Sequence, residues 1–270
     1  GVSLQEGTAL LALGSDTAGS VRIPASMTGN VGLKTSFGRW SLEGIFPLSP
    51  TLDTAGILTR TVADAVFGFA AMDPEHQGRA LEFIDQASHC TTGDFVIGRG
   101  DSVLWEECDP GIVESVEAAL NELSQKGVRM TDAHLPEVSA AIELLKAGNV
   151  TAAEIYELLS TKMPEWLNML DPLVSQRILG GASMSATEYL KRRRHINQLQ
   201  LSANSRFESS DVIVSPTVPI TPPRLDDVQQ ADRYGPLNLM SLRNTCSSNT
   251  LGLCALTLPV GLDNAGLPVG

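Results

Sequence analysis

The chain has 270 residues, a formal net charge of -12 and 43% apolar residues, a composition that marks a globular protein and argues against a disordered one. The acidity argues against nucleic acid as the main partner, since the lone basic cluster, "KRRRH" at Lys191 to His195, reads as a solvated helix face. No apolar run approaches the ~20 residues that cross a bilayer, and four cysteines (Cys90, Cys108, Cys246, Cys254) at spacings foreign to zinc sites point to a reduced, cytoplasmic protein.

In chain order, "TALLALG" (Thr8 to Gly14) fits a helix end or a strand, and the glycine favours a buried segment running into a turn. From Gly14 to Pro50 the chain is rich in Gly, Ser, Thr and Pro and offers few regular elements. Val31, Leu33, Phe37 and Trp40 nevertheless anchor it, which is the mark of a structured functional loop. "TRTVADAVFGFAAMD" predicts a helix with Thr61 as N-cap and Asp64 in its first turn. "DFVIGR" (Asp94 to Arg99) predicts a strand. "DPGIVESVEAALNELSQKG" predicts a helix capped by Asp109, with Pro110 at its first position, a stripe through Ile112, Val116 and Leu120, and Gly127 at its end. "GVRMTDAHLP" predicts the next strand, completing a β-α-β unit. Pro136 to Phe207 reads as mostly helical, with capping boxes at Thr151/Glu154 and Ser185/Glu188. "DVIVSPTVPITPP" predicts a buried strand stopped by prolines, and "GLCALTLPVG" a second apolar strand in which Cys254 is a small buried hydrophobe. Without a linker or repeat, residues 1–270 read as one α/β domain. Both ends look cut: the chain opens on "GVSLQEG" without an initiator Met and stops at "GLDNAGLPVG".

The chemistry concentrates in "LALGSDTAGSVRIPAS", Leu11 to Ser26. Gly14 and Gly19 have the spacing of a phosphate loop, but Ser20 and Val21 follow where a Lys and a hydroxyl residue are required. "AGSVR" also lacks the G-x-S-x-G of a hydrolase elbow. None of His76, His89, His134 and His195 has a neighbourhood that proposes it as partner to a serine. What remains is a run of small residues, Thr17, Ala18, Gly19 and Ser20, whose backbone N–H groups can approach a substrate and surround a developing oxyanion. Asp16 and Arg22 flank that run and either brace the loop as a pair or form an ordinary surface pair.

"ALGSDTAGSVRIPASMTGNVGLKTSFGR", Ala12 to Arg39, resembles the amidase signature family, whose core runs close to G-T-D-x-G-G-S-[IV]-R-x-P, with a G-[LF]-K segment following. "SPTLDTAGILTRTVADA", "DVIVSPTVPITPP" and "NTLGLCALTLPVGLDNAGLPVG" resemble further family segments in the same order. The resemblance implies an amidase-signature fold, a mixed twisted β-sheet core flanked by α-helices. It also implies hydrolysis of a carboxylic amide C–N bond through a serine acyl-enzyme, without cofactor or metal. The family nucleophile falls on Ser20, its oxyanion donors on the backbone of Thr17, Ala18 and Gly19 together with Ser20 itself, and Asp16 and Arg22 support them. The family triad is Ser, cis-Ser and Lys. Its bridging serine and its lysine both precede the nucleophile, and Ser20 stands too near residue 1 for either to be present. Lys34 matches the G-[LF]-K segment, which is not the catalytic lysine position. The expected partner is a small amide, with no nucleic acid, no membrane and a possible homodimer. The amidase-like component of a glutamyl-tRNA(Gln) amidotransferase and a non-catalytic amidase-like remnant are the alternatives.

Overall fold

Three sheets organise the computed structural model, which describes residues 1–76 and 78–270. Its strands in chain order are β1 (Leu11–Asp16), β2 (Val31–Lys34), β3 (Thr54–Thr59), β4 (Val96–Arg99), β5 (Arg129–Asp132), β6 (Val212–Val214), β7 (Ala255–Thr257), β8 (Gly261–Leu262) and β9 (Pro268–Val269). An antiparallel sheet has the order β1-β3-β2-β7, a parallel one β5-β4-β6, and β8 pairs with β9. The fold is mixed α/β, as the sequence implies, but strand direction is segregated by sheet.

The β-α-β unit forms because the helix Ile112–Gln125 buries Ile112, Val116 and Leu120, four residues apart, on the core side of β4 and β5. That stripe joins Trp105, Ile142, Ile196 and Leu251 in the main hydrophobic core. A smaller cluster of Leu4, Val21, Ala25 and Leu58 seals the helix Arg22–Met27 to the antiparallel sheet. No helix among the described residues is long and apolar enough to cross a membrane.

Several local expectations change. The stretch from Gly14 to Pro50 holds regular structure that its composition conceals: the end of β1, the helix Arg22–Met27, and β2. The helix Ile112–Gln125 is capped by Gly111 at φ +93°, whereas the Asp109 carboxylate accepts from the Thr221 N–H at 2.8 Å. Of the two capping boxes, Ser185 does accept from the Glu188 N–H, but the Glu188 side chain pairs with Arg192. Thr151 is already inside its helix, behind Val150, and Glu154 turns away to bind distant groups. β6 is only partly covered, with Val212 exposed, and Cys254 is exposed; the buried cysteine is Cys246. The basic cluster is half solvated: Arg192 donates to the carbonyls of Ala147 and Asn149, and Arg193 to the Tyr189 hydroxyl.

Candidate active site

Strand β1 delivers Asp16 to the interior, and the chain then turns through Thr17, Ala18, Gly19 and Ser20 into the helix Arg22–Met27. Asp16 is fully buried and Arg22 is 4% exposed, so the pair is internal and braces the turn. The Arg22 Nε donates to Asp16 Oδ2 at 3.1 Å and its Nη2 to Oδ1 at 3.0 Å, the two-pronged geometry of a strong carboxylate pair. Asp16 also accepts from the Val21 N–H at 3.1 Å and from Asn249 Nδ2 at 2.9 Å. Burial alone would push its carboxyl up, but Arg22, Asn249 and Val21 together hold it below the usual carboxylate range.

Three further tethers fix the turn. The Thr17 hydroxyl donates to Asp53 Oδ1 at 2.6 Å, while Asp53 Oδ2 accepts the N–H groups of Leu48 and Ser49, both at 2.9 Å. The Thr245 hydroxyl donates to the Ala18 carbonyl at 2.6 Å. The Thr54 hydroxyl donates to the Asp16 carbonyl at 2.9 Å. Gly19 adopts φ +142°, and a Cβ there would overlap the Thr245 hydroxyl and lie 2.6 Å from Ile23 Cδ1. Only glycine fits that position.

The result is a rigid turn with an open face. Ser20 is exposed at its tip. None of the backbone N–H groups of Thr17, Ala18, Gly19 and Ser20 donates to another described residue, whereas the next one, that of Val21, is taken by Asp16. Three histidines sit with carboxylates elsewhere, His76 on Asp73, His89 beside Asp85 and His134 on Asp101, so none of them serves Ser20. Behind the turn, Lys34 on β2 is completely buried and donates to the Thr35 carbonyl at 2.8 Å. Burial pulls its amine down to about 7, with Arg22 adding to the fall and Asp16 and Cys254 opposing it. Cys246, sealed in the core, has its thiol pushed up to about 12 by burial and is inert.

The family model for Amidase matches residues 2–270. The chain belongs to the amidase family. This amidase chain is 44% identical over its entire length to the 2-amino-5-chloromuconic acid deaminase of Comamonas testosteroni, and it spans 57% of that protein. It is 28% identical to an amidase of Pseudomonas putida, over 95% of the chain and 57% of the relative. A solved amidase structure superposes with a TM-score of 0.78 at 25% identity, covering the whole chain and 59% of its own.

The structure thus brings together all six residues that the sequence singles out: Asp16, Thr17, Ala18, Gly19, Ser20 and Arg22. Their supports Asn249, Thr245 and Asp53 have no such role in the sequence reading. Asp53 and Asn249 stand inside the resembling segments "SPTLDTAG" and "NTLG", so the signal is present as a pattern without a role. Thr245 carries no such signal, because it bonds a carbonyl 227 residues earlier in the chain.

Proposed function

We propose that the protein containing this amidase chain cleaves a carboxylic amide C–N bond, with Ser20 as nucleophile. The carrying observation is the set of four uncommitted N–H groups, from Thr17 to Ser20, around an exposed serine on a turn that buried partners hold rigid. The Ser20 oxygen attacks the amide carbonyl carbon, and the carbonyl oxygen takes the negative charge under those N–H groups. The C–N bond then breaks, the hydroxyl proton travels to the departing nitrogen, and the acyl ester remains on Ser20. Water hydrolyses that ester, releasing the acid and restoring the hydroxyl. In the family that the chain resembles, a bridging serine and a neutral lysine carry the proton traffic.

Ammonia is the leaving group in this reading, supported by the name of the 44% identical deaminase, and the substrate is a small amide. The setting is cytoplasmic, supported by the free state of all four cysteines. The amidase-like component of a glutamyl-tRNA(Gln) amidotransferase is the second reading, resting on a more distant likeness to such a protein, at 29% identity. The test is turnover of small primary amides by the whole protein and by Ser20→Ala. Loss of ammonia release in Ser20→Ala, with an unchanged melting curve, supports the assignment. Wild-type turnover in that variant rules it out, and ammonia transfer only in the presence of an acceptor tRNA moves the assignment to the amidotransferase.

A further inference from the structure

Among the described residues, the largest side chain completely hidden from solvent is that of a lysine, Lys34. In the register of the antiparallel sheet Lys34 lies opposite Gly56, and Gly56 lies opposite Gly14. Directly opposed residues share a sheet face, and so does Gly32, two residues before Lys34. The Ser20-bearing segment comes close to all three glycines: at Gly32 it bars a side chain, at Gly14 it leaves a Cβ little room, and at Gly56 the Leu33 carbonyl oxygen is the nearer obstacle. A Cβ at Gly14 would sit 3.1 Å from Val21 Cγ2, one at Gly56 3.2 Å from the same atom, and one at Gly32 2.6 Å from Ala25 Cβ. Lys34 therefore shares with these glycines the sheet face against which the segment Val21–Ala25, just after Ser20, is packed.

Its amine ends among few partners. An ammonium carries three N–H donors and accepts nothing, yet one acceptor, the Thr35 carbonyl, receives the Lys34 Nζ among the described residues. The charged or titratable groups that face it are Arg22, Asp16 and Cys254. Asp16 is the carboxylate of that cluster, and both its oxygens are occupied by Arg22, Asn249 and the Val21 N–H. A proton on Lys34 places a second buried cation beside Arg22 with no free anion to meet it.

Resting on the amidase reading above, we propose that Lys34 is a positioning residue for the reaction at Ser20: a buried amine that works uncharged, and whose protonation disturbs the Asp16–Arg22 pair bracing the nucleophile turn. The fall of its amine to about 7 through burial agrees with this geometry. Sign follows from linkage. Between about 7 and the ordinary lysine value of 10.5, the unfolded chain holds a proton that the folded one lacks, so stability rises with pH in that window.

The experiment uses the whole protein and compares wild type, Lys34→Met, Lys34→Gln (which keeps a donor for the Thr35 carbonyl) and Ser20→Ala. Melting temperature and the pH profile of kcat are measured from pH 5.5 to 9.5. The expected result is a wild-type acid limb steeper than that of either Lys34 variant by one proton, about tenfold per pH unit. The melting advantage of the variants over wild type also shrinks as pH rises above about 7. Superimposable acid limbs with parallel melting curves overturn the proposal, and so does failure of both Lys34 variants to fold at every pH. If Ser20→Ala keeps turnover, the amidase assignment at Ser20 falls, while the melting comparison still decides whether Lys34 is the buried titrating amine.

Discussion

At the scale of single residues, the turn from Asp16 to Arg22 combines a glycine at positive φ, a buried ion pair and an exposed hydroxyl. Gly19→Ala has nowhere to put its methyl and requires a backbone conformation that alanine resists. We expect it to fold with a loss of about 1–3 kcal/mol and to lose activity by more than its stability loss explains, as measured by denaturant melts beside kcat. Asp16→Ala leaves the Arg22 guanidinium buried without its carboxylate, a change worth roughly 3–5 kcal/mol. The acid dependence has a definite sign. The folded Asp16 carboxyl is held below its ordinary value of 3.8, so its stabilisation is complete above that pH and is lost as pH falls through the lower folded value. Asp16→Asn removes that dependence, so acid melts of wild type and Asp16→Asn converge as pH drops below about 4; parallel curves would show that Asp16 does not titrate in this way. The sequence alone singles out these residues, because small residues in order after an acid suit the oxyanion turn proposed above. The burial of Asp16 and Arg22 was not legible, because pairing across a turn and pairing in the core look alike in one dimension.

Among elements, the helix Thr151–Lys162 packs its Ile155 and Leu159 against Ile178, and a single carboxylate carries its polar link to the 49–51 loop. Glu154 accepts from the hydroxyls of Ser49, Thr51 and Tyr189 and from the Thr51 N–H, so one side chain joins that helix to the 49–51 loop and to the helix Ala186–Ala203. That loop leads straight to Asp53, which anchors Thr17. Glu154→Ala therefore strips three hydroxyls of their acceptor, at roughly 1–3 kcal/mol for each group left unsatisfied and buried. We expect faster amide hydrogen exchange in residues 49–53 and 151–162 together; a change confined to one of the two segments would contradict the coupling. The sequence places Glu154 correctly at the start of a helix but suggests the wrong partner. A capping box is local and needs only spacing, whereas the actual partners are 105, 103 and 35 residues away. The same distinction separates the correct β-α-β unit, which local periodicity reveals, from the N-cap at Asp109. Asp109 serves the loop at Thr221, a contact that only the folded chain creates.

For the molecule as a whole, the antiparallel sheet ends on β1 at one side and β7 at the other, and both edges carry exposed leucines. Leu13 is 69% exposed and Leu256 47%. The chain spans 57% of the length of its 44% identical relative. Edges of this kind pair readily with other strands. We therefore expect the isolated 270-residue chain to self-associate in light scattering, and Leu13→Lys with Leu256→Lys to reduce that association without lowering its melting temperature. Persistent association in the double variant would place the sticky surface elsewhere. At this scale the family and the α/β class were legible from four ordered segments. The separation into an antiparallel and a parallel sheet was not, because strand partners are chosen by packing rather than by the pattern within one strand.

On the proposed mechanism, Ser20 becomes acylated when an amide is cleaved. The most direct measurement is peptide mass spectrometry of the whole protein, acid-quenched during turnover of a small primary amide. The expected result is the mass of the acyl group on the peptide carrying Ser20 and no adduct in Ser20→Ala. Turnover with that peptide unmodified and another residue acylated, or undiminished turnover in Ser20→Ala, would contradict it.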